Sequence, residues 1–124
     1  MVTKTPAPDV MSATCPTRTV LDLIADKWTV LVIHVLAEGT HRFGELLRKI
    51  DGISQKMLTQ TLRRLEGDGL LSRAVFPEVP PRTEYQLTAL GRTLRGPLDA
   101  LCDWAEKHLP KVLDARRHAP ARRR

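Results

Sequence analysis

Residues 54–71 read SQKMLTQTLRRLEGDGLL, and the two faces of this stretch decide the fold. Leu58, Leu62 and Leu65 recur at helical spacing and mark a buried stripe. At 100° per residue, Gln55, Lys56, Thr59, Gln60 and Arg63 gather on the opposite face, and no acid appears before Glu66. Ser54 suits the N-cap, Ile53 can staple onto Leu58, and Gly67 with Gly69 closes the helix. A solvated helix ordinarily mixes Glu with Lys. Lys56 in the first turn is also opposed by the helix dipole, so an anionic partner would offset an unfavourable placement. Arg and Lys can donate to guanine O6 and N7, Gln can pair twice with adenine, and Thr can meet a thymine methyl. The backbone N–H groups at the Ser54 end favour a phosphate. The competing reading is that these side chains only solvate the surface.

Upstream, Phe43, Leu46, Leu47 and Ile50 form a short amphipathic helix that ends at the turn residues Asp51, Gly52 and Ile53. Two helices joined by a three-residue turn containing Gly have the signature of a helix-turn-helix. Downstream the period changes to two, and residues 72–76 and 83–87 are expected to pair as strands. Pro77, Pro80 and Pro81 in their connection cannot donate to a ladder, so a stiff projecting loop is expected there. Arg82 at its base is a candidate contact to the DNA backbone or minor groove, unless Glu78 or Glu84 holds it. Arg42 is placed to contact phosphate, or nothing.

Two more helices are expected at 16–25 and 27–37, with Asp26 capping the second and Gly39 ending it. Their apolar surface is broader than one stripe, which points to burial on more than one side. A last helical region runs from Thr88 to Leu109, and Pro97 must kink or restart it. The fold class is therefore mainly α with a small β-hairpin: a winged helix-turn-helix with additional N- and C-terminal helices. Residues 1–14 read as a flexible arm, 15–110 as the DNA-binding and dimerisation domain, and 111–124 as a basic disordered tail.

The formal charge of +6 is a poor guide to the domain, because residues 111–124 hold six bases against the single acid Asp114. Residues 42–64 are more telling, with Arg42, Arg48, Lys49, Lys56, Arg63 and Arg64 against Glu45 and Asp51. Aromatic residues make up 4% of the chain, too few for a base-stacking RNA platform. A protein-interaction module would want an apolar or acidic outer face on the helix after Ser54. No secretory leader is evident, the apolar run at 30–37 is too short to span a bilayer, and a cytoplasmic location is expected. His34, His41, His108 and His118 show no ligand spacing, and no catalytic constellation appears, so neither metal, cofactor nor enzyme activity is expected.

Cys15 precedes Pro16. If Pro16 opens a helix, Cys15 is its N-cap, where the dipole and Arg18 would lower the thiol pKa; a buried structural thiol is the alternative. Cys102 is expected to pack in a core or interface, and sequence spacing leaves open a pairing with Cys15 across a dimer. Trp28 and Trp104 read as core or interface anchors. A domain this small offers few base contacts, whereas a two-fold dimer would set two reading helices about 34 Å apart on one face of DNA. Leu94, Leu98, Leu101, Trp104 and Leu109 exceed what one small domain readily covers, so some are expected to face a partner.

Three segments carry a resemblance: CPTRTVLDLIADKWTVLVIHVL at 15–36, HRFGELLRKIDGISQKMLTQTLRRLEGDGLLSR at 41–73 and FPEVPPRTEYQLTALGRTL at 76–94. Together they resemble the HxlR-type family of bacterial transcriptional regulators, relatives of the MarR type. The resemblance implies a homodimer on double-stranded DNA with a palindromic operator. It assigns the dimer interface to helix 16–25 and the region from Thr88 to Leu109. Some members of the family use an N-terminal cysteine to sense oxidants, quinones or aldehydes. The expected function is accordingly a dimeric regulator, a repressor by expectation, answering to oxidants or electrophiles at Cys15 or to a small effector. The resemblance does not reach the N-terminal arm or the Arg-rich end.

Overall fold

The computed structural model describes residues 11–120. Helix α1 (Pro16–Ile24) opens on Pro16 at its first position, where the missing N–H is no loss. Helix α2 (Lys27–Leu36) begins at Asp26, whose carboxylate accepts from the Trp28 and Thr29 N–H groups at 2.8 and 3.3 Å. Strand β1 (His41–Arg42) leads directly into α3 (Phe43–Lys49). After the turn comes α4 (Gln55–Gly67), then the hairpin of β2 (Leu71–Phe76) and β3 (Arg82–Leu87). A single-turn helix α5 (Ala89–Arg92) precedes the long α6 (Arg95–His118).

The sheet is antiparallel in the order β1-β3-β2, with Leu71 opposite Leu87, Phe76 opposite Arg82, and His41 opposite Tyr85. Helix α2 lies at the centre. It packs against α1, α3, α4, α6 and β3, which is why its apolar surface is broader than a single stripe. Val32, Ile33 and Leu36 from α2 meet Leu46 and Ile50, then Leu58, Leu62 and Leu65 of α4, and Tyr85 and Leu87 of the sheet. Each of these leucines contributes about 1.5–3 kcal/mol by leaving water.

Thr88 ties the end of the helix-turn-helix to the C-terminal helices. Thr88 donates its N–H to the Leu70 carbonyl at 3.1 Å and its hydroxyl to the Gly69 carbonyl at 2.6 Å, and accepts from the Gly91 N–H at 3.0 Å. Gly91 is buried so closely against the Leu70 carbonyl that a Cβ there would overlap the oxygen.

Two features differ from the sequence reading. Strand β1 was not foreseen, since two residues carry no periodicity. At Pro97 the helical region restarts, one of the two outcomes expected there: the residue sits in the first turn of α6, after the break that follows α5, and Pro110 is the proline inside that helix. The expected start of a disordered tail at 111 is overturned for residues 111–118, which continue α6. Asp114 binds Arg117 at 3.1 Å, and the clustered Arg116, Arg117 and His118 suit the negative end of the helix dipole. Composition alone read those bases as solvated coil. Residues 1–10 of the expected arm, and 121–124, lie outside the described residues.

Candidate nucleic-acid interface

The turn before α4 relies on Gly52 at φ +85°, a left-handed conformation that favours glycine. Ser54 then caps the helix, its Oγ accepting from the Met57 N–H at 3.0 Å. Leu58, Leu62 and Leu65 are buried, which turns Gln55, Lys56, Gln60 and Arg63 outward and leaves all four exposed. Thr59 is half-buried; its hydroxyl donates to the Gln55 carbonyl at 2.8 Å and keeps acceptor capacity and a methyl group. Neighbouring Arg64 points elsewhere, with Nη1 4.0 Å from Asp26 of the α2 cap. Among the described residues the ion pairs of α4 involve Arg64 and Glu66, and none involves Lys56 or Arg63.

The two flanking arginines are placed differently. Arg42 sits at the N-cap of α3 with its side chain exposed; its N–H donates to Glu45 Oε1 at 2.8 Å, and its Nε is 4.0 Å from Glu84. That backbone hydrogen bond, with His41, Arg42 and Lys49 nearby, holds the Glu45 carboxyl below the usual range against the opposing effect of burial. Arg82 is engaged on three sides. Glu78 lies 3.2 Å from its Nη1, Glu84 lies 3.1 Å from its Nε, and the Phe76 ring is 4.3 Å from its Cζ. The guanidinium is thus held as the less interactive of the two expectations had it, and the candidate wing contact begins from a committed state.

One basic residue near this surface, Arg73, escaped the sequence reading, and a second, Lys49, was counted there without its partner. Arg73 on β2 pairs with Glu66 at 3.6 Å, and with Phe43, Thr59, Arg63 and Tyr85 it lines a cavity of about 220 Å³ between α3, α4 and the sheet. Burial raises the Tyr85 pKa there, against the nearby Arg73. Strand alternation alone could have flagged Arg73, but only the register with Tyr85 brings it to the end of α4. Lys49 donates to His41 Nε2 at 2.9 Å, while His41 Nδ1 donates to the Gly39 carbonyl at 2.7 Å, so the buried imidazole orients the lysine.

Cys15 does occupy the N-cap of α1, with its residue only 7% exposed; Cys102 is half-buried on α6, and neither is in a disulfide. Val20, Leu21, Leu90, Leu101, Trp104 and Leu109 are exposed on α1, α5 and α6. A groove of about 440 Å³ runs between α1 and α5, lined by Val20, Leu23, Leu90 and Leu94. No helix among the described residues is long and apolar enough to cross a membrane.

A capped helix bearing an acid-free face, set behind a glycine turn and beside a three-stranded wing, defines a winged helix-turn-helix protein of the DNA-binding class. The chain belongs to the HxlR-like helix-turn-helix family, which matches residues 23–112. It is 51% identical over 102 residues to the uncharacterized HTH-type transcriptional regulator YtfH of Escherichia coli, covering 82% of this chain and 81% of that protein. The solved structure of the putative transcriptional regulator ytfH from Salmonella typhimurium is similar at a TM-score of 0.84 and 45% identity, over 90% of this chain and all (100%) of that one. The redox regulator HypR in its oxidized form is similar at a TM-score of 0.69 and 41% identity, over 75% and 96% of the two chains. Its reduced form has also been solved. The protein is a transcriptional regulator with a DNA-binding fold, not an enzyme.

Proposed function

We propose that the protein works in the cytoplasm as a homodimeric, sequence-specific repressor that binds a palindromic operator. The observation that carries this reading is the exposed face of Gln55, Lys56, Thr59, Gln60 and Arg63, free of acids and presented by the Ser54 cap. These residues would enter the major groove, with Ser54 and Arg42 against phosphates. The exposed apolar residues of α1, α5 and α6 would pair with the same surface of a second copy, setting the two α4 helices one helical turn apart. Occupying promoter DNA would then block transcription.

Cys15 is proposed as the site of regulation by oxidants or electrophiles. Cys15 stands at the N-cap of α1, and the likeness to HypR supports a redox role. Burial of the thiol means that access requires local opening of the α1 end. A small apolar effector in the groove between α1 and α5 is the second route to regulation, favoured by that groove's position beside the surface assigned to the dimer.

Mobility-shift titration of the DNA upstream of the protein's own gene, with and without diamide or a quinone, tests both parts. Saturable binding that resists random competitor DNA supports the operator reading, and equal competition by random DNA removes it. Cys15→Ser should bind as the wild type does and no longer release on oxidation. A variant that still releases places the sensor elsewhere.

A further inference from the structure

The projecting part of the wing, residues 77–81, has the sequence PEVPP and carries one acid and no base. Val79 at its tip is wholly exposed at 101%, and Pro80 and Pro81 beside it are exposed as well. The nearest candidate for an ionic contact, Arg82, is occupied inside the wing. Its side chain is only 27% exposed, Glu78 and Glu84 neutralise it at 3.2 and 3.1 Å, and its Nε is buried off the line of an ideal hydrogen bond. Phe76 covers the guanidinium plane at 4.3 Å. Releasing Arg82 to a phosphate would strand two carboxylates beside a polyanion. An exposed valine alone would mean nothing. An apolar tip on a proline-stiffened loop whose only acid is neutralised from within is a different matter.

We propose that the wing touches DNA through residues 79–81, laid against the sugar walls of the minor groove, while Arg82 serves as an internal brace. The proposal rests on the operator-binding reading and specifies how one element of it works. Apolar contact releases no counterions, so the wing adds affinity without adding salt dependence. It reads groove width and shape instead of phosphate charge. Apolar side chains of this kind can enter the minor groove, whose floor is altered mainly by the guanine 2-amino group.

The test starts with duplexes that the full-length wild type selects from a random pool. Affinity is then measured between about 50 and 200 mM salt for the wild type, Val79→Ser, Val79→Ile and the charge-balanced double variant Glu78→Gln with Arg82→Gln. Val79→Ser should bind the selected duplex about tenfold more weakly with the wild-type salt slope, the effect of losing the burial of two methyl groups. Val79→Ile should retain binding, and the double variant should keep the wild-type slope. Replacing G·C by inosine·C under the wing should improve wild-type binding more than that of Val79→Ser. The proposal is overturned if Val79→Ser binds as the wild type does, or if the double variant flattens the slope by about 0.9, the mark of a lost phosphate contact. A wild type that enriches no duplex at all would instead remove the operator reading itself.

Discussion

Helices α4 and α6 both turn one face to the core and leave another uncovered, but the uncovered faces differ in kind. That of α4 is polar and cationic, with Gln55, Lys56, Gln60 and Arg63 in water. That of α6 is apolar, with Leu101 60% and Trp104 58% exposed. A cationic face without acids suits a polyanion, and its exposure in the unbound protein involves no hydrophobic penalty. An exposed Trp and Leu on a long helix lose about 25 cal/mol per Å² left in water, so that face gains most from another apolar surface. One molecule thus presents two surface chemistries, and Thr88 with Gly91 joins the regions that carry them.

The most damaging change strikes that junction. Gly91→Ala should destabilise the fold by about 3 kcal/mol or more, because the added Cβ overlaps the Leu70 carbonyl and neither backbone can yield cheaply. Urea unfolding reads it as a lower midpoint, and an unchanged midpoint would show that the two regions are not rigidly joined. Next comes Trp104→Glu, which should weaken self-association by about 2 kcal/mol or more while leaving the monomer folded. Sedimentation equilibrium with circular dichroism separates these effects, and an unchanged mass would assign the α6 face to something other than a second copy. Gln60→Ala and Arg63→Ala should each weaken operator binding by about 1–3 kcal/mol and relax preference at one base pair, with assembly and stability intact. Equal loss on random DNA would move the residue from base reading to phosphate contact.

The smallest effect expected is at α3. The Glu45 carboxyl is held below its usual range by the Arg42 N–H, so its stabilisation is present above the unfolded value of 4.5 and is lost as pH falls through the lower folded value. Glu45→Gln should therefore reduce thermal stability slightly at neutral pH and not at all in strong acid. A difference that persists in acid would mean that the side chain acts through packing.

What could be read in advance followed the range of the interactions. The Asp26 and Ser54 caps, the Gly52 turn and the stripe of Leu58, Leu62 and Leu65 each depend on residues within a few positions, so their spacing alone disclosed them. The face of α4 followed, since burying one side of a helix dictates the other. Strand β1 depends on Glu84 and Tyr85, more than forty residues away, and two residues show no pattern. Arg82 had two acids within reach in sequence, and only the hairpin geometry shows that it uses both. Residues 111–118 were misjudged because composition counts charges without asking how they are spaced; Asp114 with Arg117 three positions on is a helical pair.

The central claim is that the acid-free face of α4 reads DNA sequence as one of a pair. Selection of duplexes from a random pool by the full-length wild type, repeated with Arg63→Ala, tests it most directly. The account predicts a two-fold symmetric consensus with half-sites about one helical turn apart, in which Arg63→Ala loses preference at one symmetric pair of positions. A pool that stays random, or an Arg63→Ala consensus identical to that of the wild type, would contradict it.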